Sequence, residues 1–180
     1  TVFRVTADDG RSFALRVHQE GLHSDAALRS ELVWMRALRD DEFLVPEVVP
    51  TVTDELFAVV GKGGDERRCS LLEWIDGGLM NDLGRVERGM QTELCERYRR
   101  LGALAARLHN HSQSWNPPPG FVRHSWDEDG LFGDEPRMGR FWDHPALTPQ
   151  QRREFLKARI VLQGLLKKLG KNESNYGLIH

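Results

Sequence analysis

With 180 residues, 39% hydrophobic and 29% charged, the chain is long enough for one domain or two small lobes and has an ordinary globular composition. Its formal net charge of −2 offers no general pull toward nucleic acid or anionic membrane, and no basic stripe with interleaved aromatics is present. Cys69 and Cys95 are too few for a disulfide framework or a zinc site and fit a reducing, cytoplasmic setting, and no apolar run approaches the roughly 20 residues that span a bilayer.

Residues 2–6 and Phe13 to Val17 alternate apolar and polar around Asp8-Asp9-Gly10, which predicts a β-hairpin. Ser24 is placed to cap a helix running to about Arg39, with Asp25 in its positive first turn. Pro46 and Pro50 bracket an extended connection. Leu56 to Val60 and Cys69 to Ile75 read as two further strands, and Asp76-Gly77-Gly78 breaks the second.

Beyond that break the period changes. Leu94, Tyr98, Leu101, Leu104, Ala105 and Leu108 recur at three- and four-residue steps, predicting a long amphipathic helix. Residues 113–147 are rich in Trp, Pro and Gly and show no period. Thr148-Pro149-Gln150-Gln151 then opens a second long helix: Thr148 as cap, Pro149 at the first helical position, Gln151 completing a capping box, and Gly170 as the stop. The order, strands with one helix and then mostly helix, predicts an α+β fold with a small sheet lobe over 1–76 and a helical lobe over 77–180. No signal-peptide pattern is present, and Thr1 in place of Met leaves a preceding segment open.

One position breaks the helical pattern. Leu28, Glu31, Met35 and Leu38 share a face that is otherwise apolar. A carboxylate there is costly unless a cation meets it. Arg16, inside the apolar strand Ala14-Leu15-Arg16-Val17, is the candidate. The alternative is that both side chains face solvent and the stripe is imperfect. His109 and His111 make a poor metal fragment, being two histidines one residue apart with no cysteine nearby. The aromatic and proline residues of 115–121 and 141–145 read as packing staples. Asp127-Glu128-Asp129 and Asp134-Glu135 read as a solvated acidic loop, with a cationic-substrate site as the alternative.

Phe13 to His18 followed by Ser30-Glu31-Leu32 resembles the third strand and αC-type helix of the aminoglycoside phosphotransferase and homoserine kinase-like family, which has the protein-kinase-like bilobal fold. Cys69 to Gly77 resembles that family's hinge. Leu101 to His109 resembles its first helix after the hinge, and Tyr176 to His180 the approach to its catalytic loop. The resemblance implies that Arg16 contacts nucleotide phosphates and Glu31 orients it. The Glu73 carbonyl and the Ile75 N–H would read adenine, and His109 and His180 would support the catalytic loop.

The reaction implied is ATP-dependent transfer of the γ-phosphate to a hydroxyl of a small molecule such as an aminoglycoside, homoserine or a choline-like acceptor. Mg would be held by residues outside this chain, and the catalytic Asp would lie just after His180. On that reading the 180 residues are an N-terminal fragment, inactive alone, that self-associates through apolar helix faces. A stress-response-type protein Ser/Thr kinase and a non-catalytic nucleotide-binding module are the alternatives.

Overall fold

A computed structural model describes residues 1–78 and 91–178, without the Gln91 side chain. The chain divides into two compact units, Thr1–Val122 together with Leu178, and Arg123–Gly177.

The first unit is built on an antiparallel sheet. β1 (Val2–Thr6) and β2 (Ser12–Val17) form the expected hairpin, and the Asp9 carboxylate accepts from the Arg11 backbone N–H (3.0 Å) and side chain (2.8 Å) across its turn. β5 (Arg67–Glu73) is the central strand. It pairs with β2 on one edge and with both β3 (Val48–Val49) and β4 (Ala58–Val60) on the other.

β2 starts one residue early, at Ser12, and two further strands differ more from their sequence-based limits. β4 starts at Ala58 rather than Leu56, because Leu56 and Phe57 turn into the core before pairing begins at Ala58 opposite Cys69. β5 is shifted two residues toward the N-terminus. Arg67 and Arg68 extend it by pairing with Val60 and Val59, and its ladder ends where the Trp74 N–H meets the Ser12 carbonyl at 3.2 Å. Gly61, beside β4, must be glycine: its φ is +114°, and a Cβ there would sit 2.5 Å from the Asp65 carbonyl oxygen.

Helix α1 (Asp25–Asp40) lies against the sheet, and the Ser24 hydroxyl accepts from the Ala27 N–H at its start. Leu28 and Leu32 pack with Val48, Leu56, Phe57 and Leu72 in one core. Trp34, Leu38 and Phe43 form a second core. Leu108 of helix α2 (Gln91–Ser114), Trp115, Phe121 and Leu178 pack against it. The Trp and Phe of the 115–121 segment thus act as the packing residues expected of them.

In the second unit, residues without a sequence period hold two short elements, helix α3 (Glu128–Phe132) and a 3₁₀ turn at Phe141–Asp143. The Asp127 carboxylate caps α3 by accepting from the Gly130 and Asp129 N–H groups and also meets the Lys171 ammonium at 2.9 Å. Those contacts, the Gly130 N–H first and then the Lys171 ammonium, lower the pKa of its carboxyl below the usual carboxylate value and favour the charged form. This part of the expected solvated loop is therefore a structural cap. Helix α4 (Pro149–Leu169) starts with the predicted capping box. Phe141 packs edge-on against Phe132, Trp142 and Phe155. The Arg159 guanidinium lies 4.3 Å from the Trp142 ring centre and donates to the Phe132 carbonyl. Ile160, Leu165 and Leu169 of α4 are exposed. No described helix is long and apolar enough to cross a membrane.

Candidate functional site

Strand alternation places Ala14, Arg16 and His18 on the face of β2 that meets α1. The register sets Ala14 opposite Leu72 and Arg16 opposite Ser70. The face grades along its length from an apolar pair at Ala14 and Leu72 to polar groups at Arg16, His18, Ser70 and Arg68.

Glu31 projects from α1 onto this face. Its Oε1 accepts from Arg16 Nη1 at 2.6 Å, and the two side chains retain only 29% (Arg16) and 21% (Glu31) of their exposure. The inward pairing is therefore real, and the solvent-facing alternative does not hold. The contact with Glu31 uses Nη1, and a guanidinium carries further N–H donors in the same planar fork.

Two neighbours extend the polar end of the face. His18 Nε2 is 2.9 Å from the Ser70 hydroxyl, and Ser70 is buried. Burial, followed by the Arg16 charge, pushes the His18 imidazole toward its neutral form, with Glu31 opposing. Arg68 binds both oxygens of Asp25, at 2.8 and 3.4 Å, and these bonds raise its basicity. A cavity of about 300 Å³ opens here, lined by His18, His23, Asp25 and Arg68 among others.

At the other end of β5 the Glu73 N–H donates to the Glu47 carbonyl at 2.8 Å. The Glu73 carboxylate meets Arg39 at 3.4 Å, and Ile75 is exposed. Ile75 lies just past the end of β5, and among the described residues its N–H makes no backbone hydrogen bond. In extended chain a carbonyl at one residue and an N–H two residues on point the same way. Leu71 and Leu72, adjacent in the strand, fall on opposite faces. Leu72 is in the core opposite Ala14.

His109 lies on α2 and is exposed. The buried histidine of that helix is His111, whose Nδ1 is 2.7 Å from the Asp41 carboxylate. Sequence reasoning missed this role, and it missed Ser30 and Ser70, both buried. A polar residue four positions before Trp34, on the same helix side, was the available signal for Ser30. His180 lies outside the described residues. Among those residues no group of three or more His, Cys, Asp or Glu is placed to hold a metal ion.

A model of the phosphotransferase enzyme family (APH) matches residues 1–180. The structure of a microcompartment-associated aminopropanol kinase resembles this one with a TM-score of 0.79 at 31% identity, over 99% of this chain and 53% of that one. Amicoumacin kinase in complex with AMP-PNP, Ca2+ and Ami gives a TM-score of 0.74 at 18% identity, over 99% of this chain and 49% of that one. The chain therefore spans about half the length of these solved relatives. The α+β, protein-kinase-like fold expected from the sequence is the fold they share. No curated protein sequence matches the chain.

Proposed function

The chain belongs to the phosphotransferase enzyme family, and on that footing we propose that it forms the nucleotide-gripping part of an ATP-dependent kinase whose acceptor is the hydroxyl of a small, amine-bearing molecule. The observation that carries this reading is the 2.6 Å Arg16–Glu31 pair, half-withdrawn from water on the sheet face. A guanidinium fixed by one carboxylate presents its remaining N–H groups in a planar fork suited to phosphate oxygens. Glu31 holds that fork in one orientation, so little reorganisation accompanies phosphate contact.

In this reading residues 1–76 are the nucleotide lobe and 77–180 part of the helical lobe. The Glu73 carbonyl accepts from the adenine amino group and the Ile75 N–H donates to a ring nitrogen. His109 and His180 support the catalytic loop, whose Asp follows His180. That Asp takes the proton as the acceptor hydroxyl oxygen bonds to the γ-phosphorus and the bond to the departing ADP oxygen breaks. The family's chemistry needs a divalent metal. Among the described residues no group of three or more His, Cys, Asp or Glu would hold one.

The amine-bearing acceptor is supported by the 31% identity to an aminopropanol kinase. Phosphoryl transfer by the full-length protein, assayed against a panel of amino alcohols, aminoglycosides and neutral alcohols, tests it. We expect ATP-dependent turnover concentrated in the amine-bearing compounds. Transfer only to protein Ser or Thr, or turnover indifferent to the amine, contradicts the proposed acceptor.

A further inference from the structure

Helix α1 buries two adjoining stripes. Leu28, Leu32 and Met35 turn to the sheet and pack in the first core. Ser30, Trp34 and Leu38 recur at four-residue steps on the next side and are 2%, 5% and 5% exposed. Trp34 and Leu38 meet Leu108, Trp115 and Phe121 there. At about 100° per residue, Glu31 projects along the border between the stripes.

Ser30 is the polar member of the second stripe, and both its hydrogen-bonding roles are used. Its hydroxyl donates to the Ala26 carbonyl one turn back, at 2.7 Å. The same oxygen accepts from the Val122 N–H, 92 positions along the chain, at 2.8 Å. Farther along, just past the end of α1, the Asp41 carboxylate meets His111 Nδ1 at 2.7 Å. The helix is thus tied by directional bonds at two points to α2 and the segment after it, in addition to packing.

We propose that Ser30 is a positioning residue: its bridge to the Val122 N–H fixes the rotation of α1, and through it the place where Glu31 holds the Arg16 guanidinium. This rests on the nucleotide reading above. A Glu carboxylate stands about 6 Å from its helix axis, so turning α1 by about 10° carries it about 1 Å. A shift of that size is enough to weaken a contact that depends on placement. Core packing and the ion pairs of α1, Asp25 with Arg68 and Arg29 with Glu55, also resist such a turn, and the Ser30 bridge adds a short directional bond on the side of the helix that faces α2.

The test is a double-mutant cycle on the full-length protein, titrating a non-hydrolysable ATP analogue with Mg2+ into wild type, Ser30→Ala, Glu31→Gln and the double variant. Ser30→Ala is expected to weaken affinity about fivefold in the wild-type background and less than twofold in the Glu31→Gln background. Ser30→Cys keeps the volume but is a poor acceptor. It should reproduce the affinity loss with a smaller loss of thermal stability, which keeps the test usable if the alanine variant folds badly. Equal losses in both backgrounds, or unchanged affinity with lowered stability, overturn the Ser30 inference alone. Absence of analogue binding by the wild type, or binding indifferent to Glu31→Gln, overturns the nucleotide reading and this inference together.

Discussion

The Arg16–Glu31 pair is too enclosed to be a solvent-screened surface bridge and too open to carry the full weight of a buried one. Exposed pairs contribute about 0–1 kcal/mol. Removing one partner of a fully buried pair costs about 3–5 kcal/mol, because the other charge is stranded, whereas replacing both with apolar residues of similar size is often neutral. The pair is therefore weak evidence about stability and stronger evidence about function, since a half-sheltered cation with spare donors suits an anion.

His18, on the same strand face, gives this site a pH signature. Its folded-state acidity is raised by burial and by Arg16, so the native form is the neutral imidazole. The unfolded chain takes up the proton first, near the ordinary value of about 6.5. The resulting stability is complete above that pH and is lost as pH falls through it toward the lower native value. Melting temperature should drop between pH 7.5 and 5.5, and His18→Asn should flatten that drop. An equally steep profile in the variant would contradict the assignment.

Elements with local start signals formed where the sequence placed them. Ser24 caps α1, and Thr148 with Gln151 closes the capping box of α4. Thr148→Ala should destabilise by about 1 kcal/mol in urea denaturation, while Thr148→Ser stays near neutral. Equal stability of Thr148→Ala and wild type would mean that packing, not the cap, fixes that helix start. Elements defined by partners were less legible. The limits of β5 follow from which neighbours reach it, and the charged side chains of Arg67 and Arg68 hid its first residues. Arg67 finds Glu20 at 2.9 Å and Arg68 finds Asp25 at 2.8 Å, contacts that let arginines sit in a central strand. Helix α3 spans five residues and depends on the Asp127 cap rather than on any period. Ser30, Ser70 and His111 bond groups 92, 52 and 70 positions away, and no local pattern carries that information.

For the whole molecule, the order of motifs was more informative than any one of them. A strand cation, a helix carboxylate and a strand ending in Asp-Gly-Gly are each common, yet in sequence they outlined the sheet and α1 of the first unit. The apolar stripe of α1 also predicted that Glu31 would need a cation. What it could not reveal was the second stripe of the same helix, which exists only because α2 and residues 115–122 pack there. The central claim is that the Arg16–Glu31 pair grips nucleotide phosphate rather than merely joining sheet to helix. Replacing both residues with Met separates these roles, because apolar substitution of the pair should spare the fold. Calorimetric titration of Mg2+ and a non-hydrolysable ATP analogue into the full-length protein and into Arg16→Met/Glu31→Met is the decisive measurement. We expect the double variant to melt within a few degrees of wild type and to lose at least tenfold in affinity. A folded double variant that binds as tightly as wild type would contradict the account.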